Sequence, residues 1–446
     1  MTRRQRIAVV GGGISGLGAA YFLDRFHDVT LIEAASRLGG HSNTVDVEFG
    51  KARFAVDTGF IVYNERNYPN LTRLLAELGQ STKPSDMSFS VSIGGGRHEW
   101  SGQSLAAVFA QPANLLRPRF LRMLGEIVRF NRMALRDLEA GRLEGRTLGS
   151  YLRASAYGRE FQLDYLLPMG AAIWSAPLSR MLDFPAETFV RFFANHGLLN
   201  LGARPQWRTV SGGSREYIRR MMARFRGRVR LGQAVTTIRR HEVGVLVRTA
   251  DGHERIFDQI VVAAHADQAL GMMPDADAEE RRVLGGCRFQ PNVAVLHCDP
   301  RMMPRRRAAW SSWNYIAGDQ RDMARNVSVT YWMNRLQKID RRFPLFVTMN
   351  PHVEPDPAST FARFEYDHPL LDAGAVAAQR LLPAIQGRRR TWFCGAWCGQ
   401  GFHEDGLVSA MTVAAALGAA PAWTDVAQLE TLGEPMPIPA LAAAGG

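Results

Sequence analysis

The stretch IAVVGGGISGLGAAYFLDRFHDVTLIEAASRLGG, residues 7–40, decides the fold of this chain. It begins with a short apolar run, Ile7–Val10, of the kind that forms a buried parallel strand. Three glycines that fill a G-x-G-x-x-G pattern follow this run: Gly11, Gly13 and Gly16. A helix is predicted from about Ile14 to Arg25, and its free N–H groups and positive dipole end would face a pyrophosphate. The order of strand, glycine turn and helix therefore predicts a dinucleotide site.

Each part of this pattern has a physical role. Gly11 permits the tight turn, Gly13 lets the backbone approach the pyrophosphate, and Gly16 allows the helix to pack closely on the strand. A second predicted strand, Val29–Ile32, ends in Glu33. A carboxylate at that place can accept hydrogen bonds from both hydroxyls of an adenosine ribose. The alternative is a purely structural glycine-rich turn, but the acid at the right distance favours the dinucleotide site.

A second glycine pair follows the acidic residue, in Arg37-Leu38-Gly39-Gly40. This segment resembles the R-x-G-G segment of FAD enzymes in the flavin amine oxidase and phytoene desaturase superfamily, and NAD dehydrogenases usually lack it. Two further stretches resemble the same superfamily: Val235 with Ile260–Ala264, and Phe393–Ala410. The resemblance covers nearly the whole chain and implies that FAD is the cofactor.

The resemblance also assigns roles along the chain. The backbone of Val235 would hold the adenine, and Glu404 or Asp405 would bind the ribityl chain or the pyrophosphate. Backbone N–H groups near Gly406–Val408 would face the flavin and stabilise negative charge on its reduced form. The residues implied to contact FAD are Gly11, Gly13, Ile14, Ser15, Gly16, Glu33, Ala34, Arg37, Gly39, Gly40, His41, Gly59, Phe60, Val235, Ala264, Gly395, Glu404, Asp405, Gly406 and Leu407.

The expected fold is α/β, with a Rossmann-type, GR2-like FAD-binding domain and an interleaved α+β substrate domain. We expect the FAD-binding domain to comprise residues 1–85, 205–286 and 386–425. The substrate domain, with a helical portion, would comprise residues 86–204 and 287–385. Strand patterns rich in aromatic residues recur in the latter segment, at Asn292–His297, Trp310–Tyr315, Asn326–Trp332 and Leu345–Met349. Residues 426–446, rich in Ala, Gly and Pro, are predicted to form a flexible tail.

The composition and net charge of the chain indicate which classes of partner it can bind. The formal net charge of +12 suits an anionic partner such as a membrane surface or an acidic substrate, and we see no nucleic-acid-binding module. The segment Arg119–Arg136 predicts an amphipathic helix with arginines on one side, which suits either an anionic membrane interface or packing on the core. Four cysteines form no secreted disulfide framework, and no metal site is expected. We therefore expect a cytoplasmic protein, with peripheral contact at the inner membrane face as a further hypothesis.

Five short stretches carry a narrower resemblance, to a bacterial subgroup described broadly as predicted NAD/FAD-binding proteins: GGHSNTVDV, VDTGFIVYN, NYPNL, SDMSFSVS and FCGAWCGQGFHEDGL. Members often accompany cyclopropane-fatty-acid-synthase-like methyltransferases, and some are linked to desaturation of methylated phospholipid acyl chains on the route to furan fatty acids. The resemblance implies an FAD-dependent oxidoreductase that removes a hydride from an apolar, methylated fatty-acyl phospholipid.

Two alternatives stay open: a flavin amine oxidase acting on a primary or secondary amine, and a non-redox flavin-dependent isomerase. Amine oxidases of this superfamily often carry a lysine near the flavin, and Arg288–His297, the corresponding region, contains none. Candidates for a proton acceptor are Tyr63, His403 and Glu404. Tyr63 is equally well explained as a core residue. The sequence leaves the catalytic residue unidentified.

Overall fold

The computed structural model describes residues 4–200, 205–318 and 327–424. A parallel sheet of five strands forms around the first apolar run, in the spatial order Arg228–Arg230, Asp28–Ile32, Arg6–Val10, Gln259–Val262 and Thr391–Phe393. The central strands are apolar and buried because the sheet is covered on both faces. This confirms the strands that the sequence predicted near residues 7, 29 and 260.

The two faces of this sheet pack against different layers, since neighbouring residues on a strand point to opposite sides. Ile7 and Val9 pack in one core with four helices, Ile14–Leu23, Pro69–Glu77, Arg215–Arg224 and His403–Ala416. Ala8 and Val10 pack in a second core on the other face. That core is completed by helices Ala266–Met272, Ala278–Gly286 and Ala373–Leu381 and by an antiparallel sheet of Val235–His241, Gly244–Thr249 and Glu254–Phe257.

A seven-stranded sheet forms the second half of the molecule. Its spatial order is Thr360–Pro369, Phe289–His297, Phe346–Met349, Ser328–Trp332, Trp313–Ala317, Phe89–Ile93 and His98–Ser101. All neighbours are antiparallel except Trp313–Ala317 and Phe89–Ile93, which run parallel. The aromatic strands that the sequence predicted are present with boundaries shifted by a few residues, whereas the long edge strand Thr360–Pro369 was not predicted.

Helices cover one part of this sheet and share its core. They are Leu105–Val108, Pro118–Glu139, Leu148–Ala154, Arg159–Phe161, Leu167–Trp174, Leu178–Asp183 and Ala186–Asn195. In Pro118–Glu139, which contains the predicted amphipathic segment, Phe120, Met123 and Phe130 are buried and the arginines are exposed. The apolar face of this helix therefore packs on the core. Among the described residues, no helix is both long and apolar enough to cross a bilayer.

Smaller elements join the two halves. They are the hairpin Thr44–Phe49 and Ala52–Asp57, the small sheet of Tyr63–Asn64, Trp207–Val210 and Thr82–Pro84, and the helix Pro69–Glu77. The strands of the five-stranded sheet come from three separated stretches, and those of the seven-stranded sheet come from the stretches between them. This interleaving agrees with the expected order, while the domain boundaries stay predictions. The predicted tail, residues 426–446, lies outside the described residues.

Candidate functional site

The glycine turn at the end of the first strand has the conformation that its motif predicts. Gly11 has φ +105°, and a Cβ atom there would lie 2.5 Å from the carbonyl oxygen of Ala263. A Cβ atom on Gly16 would lie 1.8 Å from the carbonyl oxygen of Gly11. Side chains cannot occupy either place, because both contacts are with backbone atoms. The turn is therefore tight, and the helix begins directly against the strand.

Gly13 differs from its neighbours, since a Cβ atom there would meet no atom within 4 Å. It is the N-cap of helix Ile14–Leu23, and it offers no side chain to the N–H groups of the first turn. Four backbone N–H groups at a helix start need partners, and an anion is a natural one. Open space in front of Gly13 and uncapped donors behind it make this turn fit a pyrophosphate.

Glu33 lies beside the same turn. Its carboxylate accepts hydrogen bonds from the N–H of Gly12 at 2.5 Å and from that of Ala35 at 2.7 Å. The carbonyl oxygen of Glu33 accepts the N–H of Gln233 at 3.0 Å, which brings the start of strand Val235–His241 to the same end of the sheet. Val235, predicted to hold the adenine, and Glu33, predicted to hold the ribose, thus lie on neighbouring segments.

The R-x-G-G loop packs directly on the glycine turn. The N–H of Gly39 donates to the carbonyl oxygen of Gly12 at 2.7 Å, and a Cβ atom on Gly40 would lie 3.2 Å from Cα of Gly13. Arg37 donates to the carbonyl oxygen of Gly40 at 2.9 Å and holds the loop closed while its side chain stays exposed. The exposed guanidinium of Arg37 beside the uncapped start of helix Ile14–Leu23 adds a positive charge to the predicted anion-binding site.

The segment Asp57–Phe60 follows behind this loop. A Cβ atom on Gly59 would lie 2.3 Å from the carbonyl oxygen of His41, and the N–H of Phe60 donates to that oxygen at 2.8 Å. Glycine is required here by this close approach of two backbones. The ring of Phe60 stacks on that of His403 with centroids 3.7 Å apart, so the second loop also contacts the last helix.

The N-terminal end of the last helix, His403–Ala416, packs against the first helix, Ile14–Leu23. A Cβ atom on Gly406 would lie 2.8 Å from Oγ of Ser15, and one on Gly18 would lie 3.1 Å from the side chain of Leu407. The preceding turn is fixed by Ser409, whose hydroxyl accepts the N–H of Gly395 at 3.0 Å. All the loops predicted to bind FAD, including Ala264 through the indole of Trp397, thus converge at one edge of the five-stranded sheet.

Glu404 and Asp405 make contacts typical of capping residues. Glu404 accepts the N–H groups of Asn70 and Leu71, at 2.8 and 3.0 Å, at the start of helix Pro69–Glu77. Asp405 accepts the N–H of Phe402 at 2.8 Å and so caps its own helix. Burial raises the pKa of Glu404 to about 7 and that of Asp405 to about 6. The binding of FAD by these two carboxylates stays a prediction.

The other proton-acceptor candidates occupy different surroundings. Tyr63 is 2% exposed and packs edge-to-face on Tyr68 in the core beside the first helix, which agrees with the core interpretation. Nε2 of His403 lies 2.9 Å from Oγ of Ser42 and 3.0 Å from the hydroxyl of Tyr217. Burial lowers the pKa of His403 to about 3, so the imidazole is neutral at neutral pH.

Tyr366 and His368 were missed from the sequence, whereas His41, which they contact, was predicted to bind FAD. The ring of His41 packs on Tyr366 and His368, with centroid distances of 4.8 and 5.2 Å. The Tyr366 hydroxyl lies 3.0 Å from Nδ2 of Asn43 and 2.7 Å from Oγ1 of Thr58. Both histidines stay partly accessible, yet burial lowers their pKa, to about 4 for His368. These three rings therefore pack together directly after the R-x-G-G loop, and no local pattern links residues 41 and 366.

The donor set fits FAD. Glu33 lies where the ribose is predicted to bind. The uncapped N–H groups of helix Ile14–Leu23 and the exposed Arg37 lie where the pyrophosphate is predicted to bind, and the start of helix His403–Ala416 lies beyond them. The glycines that permit close approach are those of the two glycine loops and of the final helix. These residues would hold the adenosine ribose and the pyrophosphate of FAD, because their donors and acceptors match the charges of those groups.

Comparison with known proteins gives the same assignment. The family model described as flavin containing amine oxidoreductase matches residues 14–342. Three solved structures share the fold: a CLA-producing fatty acid isomerase from P. acnes (TM-score 0.66, 16% identity, 93% of this chain and 99% of that chain), a cyclohexylamine oxidase from Brevibacterium oxydans (0.66, 16%, 93% and 98%), and a putative protoporphyrinogen oxidase from Exiguobacterium sp. (0.64, 17%, 94% and 99%).

At such identities the structural likeness shows a common fold and leaves the substrate undetermined. The family model is the stronger finding, because it matches most of the chain, including the helix after the glycine turn and the R-x-G-G loop. This protein therefore belongs to the flavin containing amine oxidoreductase family, and it is an FAD-dependent enzyme of the flavin amine oxidase superfamily.

Proposed function

We propose that this enzyme is a desaturase that removes a hydride from the acyl chain of a phospholipid, and in particular from a methylated acyl chain. FAD supplies the chemistry of hydride acceptance when it is bound. The chain's own residues position the substrate, exclude water and accept the accompanying proton. The narrower resemblance seen in the sequence motivates this substrate, and three features of the site support it.

The observation that carries the proposal is a row of stacked aromatic rings next to the start of the last helix, in which Phe192 is buried and Phe402 and His196 are partly exposed. Phe402 stacks on Phe192 with centroids 5.1 Å apart, and Phe192 stacks on His196 at 3.8 Å. Trp207 extends this stack beyond His196, at 6.1 Å. Burial lowers the pKa of His196 to about 4, so this ring is neutral at neutral pH. An acyl chain would find apolar contacts along these rings.

The carboxylates around the predicted flavin place are engaged by the chain itself. Asp57 accepts hydrogen bonds from Thr44, Ser214 and Gln337 at 2.6 to 2.9 Å. Glu404 and Asp405 accept backbone N–H groups, as described above. A cationic amine needs a carboxylate with free oxygens to replace its water. The engaged state of these three groups favours a neutral substrate.

Strand Phe289–His297 supports the same preference. In this region amine oxidases of the superfamily often carry a lysine, and here Gln290 extends from the strand and donates its amide to the carbonyl oxygen of Ser175. A glutamine in a hydrogen bond to the backbone fixes the neighbouring helix end rather than a reactive water. The chain thus lacks the lysine in the strand where that chemistry places it.

Proton removal must accompany hydride removal for a double bond to form. Burial raises the pKa of Glu404 to about 7, because it destabilises the charged carboxylate. His403, with a pKa of about 3, is a weak base and serves better as a neutral neighbour of Ser42 and Tyr217. Because both oxygens of Glu404 already accept hydrogen bonds from Asn70 and Leu71, the three candidates are tested on equal terms by Glu404→Gln, Tyr63→Phe and His403→Gln.

The test is an anaerobic visible spectrum of the FAD-loaded enzyme, recorded with three probes: a methylated phospholipid, its unmethylated counterpart, and putrescine or cyclohexylamine. We expect loss of the oxidised-flavin band with the methylated phospholipid, slower loss with its counterpart, and no change with either amine. Reduction by an amine alone would establish amine oxidation instead. A shifted double bond in the recovered lipid, with the flavin still oxidised, would establish isomerisation.

A further inference from the structure

Four leucines project from the molecule at one end of the seven-stranded sheet. Leu105 is 81% exposed, Leu115 53%, Leu116 87% and Leu121 45%. All four come from residues 105–121, which leave edge strand His98–Ser101 and lead into helix Pro118–Glu139. We call them the leucine surface. Singly exposed leucines are ordinary, but four within residues 105–121 place an unusual amount of apolar side chain in water.

The segment that carries the leucine surface is held firmly on the sheet. Gln111 accepts the N–H of Glu99 at 3.2 Å and donates to the carbonyl oxygen of Arg97 at 3.0 Å. Asn114 is fully buried and donates to the carbonyl oxygen of Glu99 at 3.2 Å. These amides satisfy the open edge of the strand, and Ser104 caps helix Leu105–Val108. The leucines therefore face outward because their polar neighbours are fixed inward.

Positive charge surrounds the same surface. Arg117, Arg119 and Arg122 are exposed and lie among Leu115, Leu116 and Leu121 along the chain. Residues 97–122 contain one carboxylate, Glu99, which is buried and paired with Arg306 at 2.9 Å. Arg119 lies 3.8 Å from Glu160, an exposed contact that neutralises little of its charge. The leucine surface is thus an apolar patch in a positive field.

We propose that the leucine surface docks this protein on an anionic phospholipid bilayer. Leucines that enter the acyl region leave water, and arginines beside them meet the headgroup phosphates. The pairing of these two residue types matches the two layers of a membrane leaflet and matches no single soluble ligand. The inference deepens the proposed function, because a bilayer is where a phospholipid substrate lies.

This surface differs from the membrane contact that the amphipathic pattern suggested. The apolar stripe of helix Pro118–Glu139, with Phe120, Met123 and Phe130, is buried in the core of the molecule. Leu121 lies on the opposite side of that helix, together with the arginines. The bilayer contact is therefore made by the segment before the helix and by its outer face.

The experiment is co-sedimentation of the full-length FAD-loaded protein with vesicles of phosphatidylglycerol or of phosphatidylcholine. We expect binding to the first, little binding to the second, and release as salt is raised, because arginines meet phosphates. Leu115→Ser with Leu116→Ser should weaken binding by tenfold or more. The matched control is Val243→Ser, which removes a 78% exposed apolar residue from a hairpin turn on the nucleotide side.

Three results would overturn the inference. They are absence of binding to phosphatidylglycerol, equal binding by the double leucine variant, and self-association of the wild type without vesicles that the same variant abolishes. The last result would make the leucine surface a protein interface. Flavin reduction by detergent-dispersed phospholipid separates membrane docking from the proposed function. If neither the wild type nor the variant reduces its flavin with this lipid, the proposed function is rejected, and the vesicle experiment alone decides whether the leucine surface docks on a bilayer.

Discussion

The change Gly13→Ala separates cofactor binding from folding. The backbone at Gly13 is extended, with φ −73° and ψ −176°, and a Cβ atom there would meet no atom within 4 Å. Alanine is a poorer N-cap than glycine by up to about 1 kcal/mol, and the loss of unfolded-state entropy offsets about 0.4–1 kcal/mol of this. The free energy of unfolding of the apoprotein should therefore change by less than about 1 kcal/mol.

FAD affinity should fall much further. The added methyl group would occupy the space in front of the first helical turn and push the pyrophosphate away from its N–H groups. A charge-assisted hydrogen bond contributes about 1.5–3 kcal/mol, so the Kd for FAD should rise roughly ten- to a hundredfold. Quenching of flavin fluorescence measures Kd, and urea unfolding of the apoprotein measures stability.

Substitutions at two further glycines serve as controls for Gly13→Ala. A Cβ atom on Gly125, inside helix Pro118–Glu139, also meets no atom within 4 Å, so Gly125→Ala should leave Kd unchanged and stabilise the helix by about 1 kcal/mol. Gly16→Ala places a methyl group against the carbonyl oxygen of Gly11 and should destabilise the apoprotein itself. Normal FAD affinity in Gly13→Ala would refute our account of the turn.

Three other predictions concern buried charge. Burial raises the pKa of Glu404 from 4.5 to about 7, so the folded state binds the proton of this carboxyl group more tightly than the unfolded state does. The protonated group therefore stabilises the fold by about 3 kcal/mol, and this stabilisation is lost as the pH rises from about 4.5 to 7. Urea unfolding of the apoprotein over this pH range should show this loss in the wild type and not in Glu404→Gln. His403 should stay neutral above about pH 5 in a nitrogen NMR titration, and a midpoint near 6 would contradict its burial. Glu280→Ala should lower the free energy of unfolding by about 1.5–3 kcal/mol, because it removes a carboxylate that accepts two hydrogen bonds from Arg240, 1% exposed, and leaves this guanidinium paired with Asp275 alone at 2.9 Å, whereas Glu354→Ala, at an exposed pair, should cost under about 1 kcal/mol.

The parts of the site that the sequence predicts are those encoded by neighbouring residues. The glycine turn, the R-x-G-G loop and the start of the last helix each lie within a few residues of chain, and their shapes follow from missing side chains. Their convergence at one sheet edge follows from the rule that parallel strands end together. The interleaved α/β fold was predicted from the resemblance of three separated stretches to the superfamily.

The parts that could not be predicted depend on contacts between distant residues. Tyr366 reaches Asn43 and Thr58 from strand Thr360–Pro369, whose position at the sheet edge is set by pairing with Phe289–His297. The capping contacts of Glu404 with helix Pro69–Glu77 likewise join segments far apart in the chain. The outward direction of Leu115 and Leu116 depends on which amides the edge strand binds. None of these has a periodicity or a spacing that local physics could interpret.

The central claim, hydride removal from a phospholipid acyl chain, is tested most directly by the mass of that chain after a single anaerobic turnover. The FAD-loaded enzyme is mixed with a substoichiometric amount of methylated phospholipid, and the lipid is recovered when the flavin band stops changing. We predict that each molecule of lipid loses two hydrogen atoms for each flavin reduced, since one leaves as hydride and one as a proton. Recovery of lipid of unchanged mass beside reduced flavin, or of changed lipid beside oxidised flavin, would contradict the account.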